Sequence, residues 1–72
     1  MNIKDNILFI SKKNQKQFPN WRYGQAVFNT AFELFPKEVN KLRSTNIDPF
    51  YNDKLVDDFL RELEKLVNKN LD

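Results

Sequence analysis

The chain has 72 residues, a hydrophobic fraction of 40%, ten aromatic side chains (Phe 7, Tyr 2, Trp 1) and a formal charge of +2. That length makes one domain, in the size range where folding buries only about 60% of the unfolded surface, and the apolar content is too high for a disordered chain. Cysteine and histidine are both absent, which excludes disulfides, thiolate or imidazole metal sites, and Ser/His or Cys/His catalysis.

Near the N-terminus, Ile3, Ile7 and Ile10 fall within roughly 60° of one another at helical spacing. The run Ile7-Leu8-Phe9-Ile10 also fits a short buried strand, so residues 3–13 are open to both readings. No second strand is visible to pair with it, and the preferred expectation is a helix over 3–17. Its Lys-rich end suits a helix C-terminus. The four-residue apolar run is too short for a signal sequence or a membrane span, so a cytoplasmic protein is expected.

Phe18-Pro19-Asn20 interrupts this segment, because the residue before proline is pushed out of the helical region. A central helix is predicted over about 20–35, with Asn20 as its N-cap. On a helical wheel Tyr23, Val27, Phe28, Thr30, Ala31, Phe32, Leu34, Phe35 and Trp21 occupy an arc of roughly 200°. Arg22, Gln25, Asn29 and Glu33 share the remaining polar stripe. Gly24 lies inside the apolar arc and costs about 1 kcal/mol of helix propensity relative to alanine, which points to a close approach there by another helix or an aromatic ring.

Pro36 suits the first position of a short helix running through Val39 and Leu42 to Arg43. Ser44 to Asp53 reads as loop and turn, with Asp48 or Asn52 available as a cap. The final helix, about 53–70, is strongly amphipathic: Leu55, Val56, Phe59, Leu60, Leu63, Leu66, Val67 and Leu71 cover an arc of roughly 160°. On its polar side, Asp57 with Arg61 and Glu62 with Lys65 have the spacing of weak helical ion pairs. The predicted fold is therefore all-α, three or four helices packed around the central hydrophobic helix in one domain spanning 1–72.

The string Trp21-Arg22-Tyr23-Gly24-Gln25-Ala26-Val27-Phe28-Asn29, then Pro36, Leu42-Arg43-Ser44-Thr45 and Asp48-Pro49-Phe50-Tyr51-Asn52-Asp53, resembles small, largely uncharacterised proteins encoded by phages and prophages. It covers about residues 20–60. Ser44 stands where the resemblance leads one to expect glycine. What the resemblance implies is a mobile-element setting inside a bacterial host cell, with no activity or cofactor attached.

Two binding surfaces follow from the residues themselves. Trp21, Arg22, Tyr23, Gln25, Phe50 and Tyr51 combine aromatics with an arginine, the composition of a protein interface. A host factor or a second copy of the chain is the expected partner. The competing surface is basic: up to Asn46 eight Lys or Arg stand against three acidic residues, and from Ile47 four stand against seven. Lys12, Lys13, Lys37, Lys41 and Arg43 would then meet nucleic acid, although the only glycine falls within a helix rather than in the turn of a helix-turn-helix. Asp48, Asn52, Asp53 and Asp57 lack the alternation and glycine of a calcium loop and read as turn and cap residues. Asp57 and Asp58 fall on an exposed face without a pocket, so a non-enzymatic protein with no metal or cofactor is expected.

Overall fold

The structure, a computed structural model, describes residues 2–71. It contains α1 (Ile3–Gln17), α2 (Tyr23–Leu34), α3 (Pro36–Leu42), a 3-10 turn (Asp53–Leu55) and α4 (Val56–Leu71), with no strand among the described residues. The predicted all-α fold is what the chain adopts.

The first segment is helical throughout, so the strand alternative for residues 3–13 does not hold. Its start is fixed by Asn2, whose side-chain oxygen accepts the Asp5 N–H at 2.8 Å. The next helix begins later than the predicted cap at Asn20. Phe18 to Trp21 close a turn through the Trp21 N–H and Phe18 carbonyl at 3.0 Å, and the two rings stack at 4.5 Å. Arg22 is therefore the cap residue of α2, and its side chain makes no capping bond. Phe35 ends α2 and opens α3, and Pro36 takes the first helical position, where its missing donor is not needed.

Helix α2 packs against α1 and α3, and α4 closes the ring by packing against both of those. The core comprises Ile7, Val27, Phe28, Ala31, Val39, Leu42, Val56, Phe59, Leu60, Leu63 and Val67. Two polar side chains help to fix α1 on α2: Ser11 donates to the Ala26 carbonyl at 3.4 Å and Asn14 to the Thr30 hydroxyl at 2.9 Å. The buried face of α2 does not coincide with its apolar arc, since Ala26, outside that arc, is fully buried. Tyr23 and Leu34, near one edge of that arc, are 37% and 44% exposed.

On α4 the polar face carries Arg61 with Asp58 at 3.3 Å and Lys65 with Glu62 at 3.4 Å. The expected Asp57 and Arg61 pair does not form. Asp57 faces Lys4 of α1 at 4.0 Å instead, leaving Arg61 to the carboxylate one residue later.

Candidate functional site

The chain between α3 and the 3-10 turn crosses the first turn of α2, and its conformation is set by short polar side chains. Arg43 (φ −63, ψ 135) and Ser44 (φ 62) form a turn closed by the Thr45 N–H and Leu42 carbonyl at 3.2 Å. These are the dihedrals of a type II turn, whose third residue is usually glycine. Asp48 then ties both ends of the loop: one carboxylate oxygen accepts the Ser44 N–H at 2.7 Å and the other the Phe50 N–H at 3.0 Å. Pro49 between them is fully buried.

Three contacts dock this loop onto α2. The Asp53 carboxylate accepts the Gly24 N–H at 2.8 Å, satisfying a free donor of the first helical turn from 29 residues away. Arg22 donates through Nη2 to the Phe50 carbonyl at 2.8 Å, and its guanidinium lies 5.7 Å from the Tyr51 ring centre. At Gly24, an added Cβ would collide with the Pro49 carbonyl oxygen and stand 2.8 Å from the Asp53 carboxylate. The close approach expected at Gly24 is therefore real, but the neighbour is loop backbone rather than a helix or a ring.

Docking the loop builds an aromatic groove. Phe28 meets Phe50 edge-on at 5.6 Å and Phe32 in a stack at 6.2 Å, while Phe50 meets Tyr51 at 4.7 Å. A depression of about 230 Å³ is lined by Phe28, Arg43, Ser44, Asp48, Phe50 and Tyr51. A second of about 250 Å³ shares Phe28, Arg43 and Phe50 with it and adds Asn29 and Phe32. Tyr51 is 81% exposed, the most exposed of the large hydrophobic side chains among the described residues. Arg43 lies 5.9 Å from the Phe32 ring centre. The ion pairs among the described residues are Lys4 with Asp57, Arg61 with Asp58 and Lys65 with Glu62, and neither Arg43, which lines the groove, nor Arg22, which braces it, belongs to one.

The residues named from sequence divide between this groove and its surroundings. Phe50 and Tyr51 line it, and Arg22 braces both. Trp21 stacks on Phe18 and is half-buried, Gln25 is half-buried, and neither lines either depression. Tyr23 sits beside Asp53 and Asp57, and burial, with those two charges, raises its hydroxyl pKa above the ordinary tyrosine value. Arg22 forms no ion pair with Asp48 or Asp53; its side chain bonds to the Phe50 carbonyl, while the two carboxylates accept backbone N–H groups.

Of the basic set, Arg43 joins the groove. Lys12 and Lys13 lie on α1 and Lys37 and Lys41 on α3, two helices without extended mutual contact; all are exposed. Asn29 stands on the polar stripe of α2 already visible in the sequence, whereas Phe28, Phe32, Ser44 and Asp48 read there as apolar-arc, loop and turn residues and not as groove lining. The Leu42-Arg43-Ser44-Thr45 and Asp48-Pro49-Phe50-Tyr51 strings carry Ser44 and Asp48, but nothing local marks Phe28 and Phe32 as groove rather than core.

Asp48, Asn52 and Asp53 act as turn and cap residues, with Asn52 accepting the Lys54 N–H at 3.0 Å. No group of three or more His, Cys, Asp or Glu suited to a metal occurs among the described residues, and no helix among them is long and apolar enough to cross a membrane. Comparison with protein-family models, curated proteins and solved structures gives no match to this chain.

Proposed function

We propose that this chain is a small non-enzymatic interaction protein that binds another protein through the groove between α2 and the 43–53 loop, in the phage or prophage setting suggested by the resemblance of residues 20–60. The observation that carries the reading is Tyr51, a large aromatic ring held 81% exposed above a floor of Phe28 and Phe50. Folding alone gives no reason to leave such a ring outside, whereas interfaces concentrate tyrosine and arginine at their energetic centres.

Depressions of about 230 and 250 Å³ fall below the roughly 300–1,000 Å³ of sites that enclose small molecules. Their size suits a protruding side chain. The nucleic-acid alternative rests on Lys12, Lys13, Lys37, Lys41 and Arg43, all exposed but distributed between two helices without extended contact.

The test is site-specific photo-crosslinking in a bacterial host lysate. A photoreactive phenylalanine analogue at position 51 is expected to capture a discrete protein that the same analogue at exposed position 68 does not. Equal capture from both positions would contradict the assignment of the groove.

A further inference from the structure

Building on that reading of the groove, we infer that its occupant is a protein segment presenting one aromatic or large aliphatic side chain flanked by carboxylates. The floor dictates the first half. Phe50 and Phe32 stand 5.6 and 6.2 Å from the Phe28 ring, and together the three offer a surface that a flat or branched apolar side chain covers well.

Arg22 and Arg43 dictate the second half. Each is placed against a ring and neither belongs to an ion pair seen among the described residues. A guanidinium has five N–H donors, and the bond from Arg22 to the Phe50 carbonyl uses one of its nitrogens while fixing its position. The remaining donors suit a carboxylate, which arginine binds through two parallel hydrogen bonds.

The acidic neighbours decide between a peptide and a polyanion. Asp48 lines the groove, and Asp53 is bonded to the helix start just beside Arg22. A nucleic-acid strand, charged at every nucleotide, would have to run past both. One or two discrete carboxylates can meet the arginines and avoid them. Asp48 forms no ion pair with Arg43; its two oxygens accept the Ser44 and Phe50 N–H groups.

The experiment uses the immobilised full chain and a pool of nine-residue peptides with central Phe, Tyr, Trp or Leu. Half carry Glu or Asp on both sides of that residue and half carry Gln or Asn. Retained acidic peptides are expected to exceed retained amide peptides at least tenfold at low salt, with the excess falling toward unity for Arg43→Gln. That substitution leaves the core and the loop's hydrogen bonds intact, and circular dichroism verifies its fold. In solution, the best acidic peptide is expected to lose at least tenfold in affinity with Tyr51→Ala.

Equal retention of the two halves, or no retention of either, overturns the acidic occupant. Tighter binding of a labelled oligothymidine than of any peptide, or a dimer of the chain abolished by Tyr51→Ala, overturns it as well. If the photo-crosslink at position 51 persists when the peptide preference is absent, the groove is an interface with a different occupant. If the peptide preference is present but moves to Arg61→Gln instead of Arg43→Gln, the groove assignment itself fails.

Discussion

Gly24 shows how one absent methyl group fixes the path of a loop. Alanine at this position gains about 1 kcal/mol of helix propensity, yet its Cβ would overlap the Pro49 carbonyl and crowd Asp53. Overpacking of this kind costs about 1–3 kcal/mol, and the capping bond to Asp53 is lost with it. Gly24→Ala is therefore expected to destabilise the domain by about 2 kcal/mol, measured by urea unfolding.

Ser44 is the reverse case, a side chain where the backbone favours none. At φ 62 it is the only non-glycine with positive φ among the described residues, and that region costs an ordinary residue about 1–2 kcal/mol. Glycine removes this penalty but loses more entropy on folding. Ser44→Gly should raise stability by about 0.5–1 kcal/mol, seen as an increase of at least about 2 °C in melting temperature. Tyr23 supplies a pH dependence. Its folded pKa lies above the unfolded value because burial, and then Asp57 and Asp53, disfavour the phenolate. The sign follows: its contribution is intact below the unfolded tyrosine pKa and is lost as pH rises above it. Alkaline unfolding curves of Tyr23→Phe are expected to decline less steeply above that value than those of the unsubstituted chain.

Among the elements, α2 depends most on distant residues. Its cap residue Arg22 makes no capping bond, and the carboxylate that serves its first turn comes from Asp53. Asp53→Ala should cost about 1 kcal/mol, the usual effect of removing a cap, while Asp53→Asn keeps an acceptor oxygen and most of the stability. Equal losses in both variants, by thermal denaturation, would assign the effect to charge instead. The same feature explains what was legible in the sequence. The end of α1 and the start of α3 follow from Phe18-Pro19 and Pro36, and α4 from its apolar period, all local signals. The start of α2 has no local signal of its own, so Asn20 presents itself as a cap by composition alone. Gly24 signalled a close approach but not its partner, because the partner lies 25 residues along the chain at Pro49. Arg22 and the Asp48 to Asp53 loop were visible as related residues. That they meet through the Phe50 carbonyl, while Asp48 and Asp53 bind backbone N–H groups, depends on a loop path that no local pattern specifies.

At the scale of the whole molecule, 72 residues imply a total stability of about 4–11 kcal/mol, shared by one core whose aromatic members Phe28 and Phe59 lie 6.0 Å apart. Phe59 is fully buried, and Phe59→Ala is expected to cost about 3–5 kcal/mol, enough to remove much or all of the cooperative unfolding transition. The groove is built on that core from one side and held by the loop from the other. Everything claimed for it depends on the 43–53 loop being clamped to the first turn of α2. The direct measurement is amide hydrogen exchange at Gly24, whose signal is identifiable because the chain has a single glycine. A second-position helix amide has no partner within its own helix, so protection there reports the loop. The expected result is a Gly24 amide protected in the native chain and exposed in Asp53→Ala, and a Gly24 amide that exchanges in the native chain as fast as an unfolded one would contradict it.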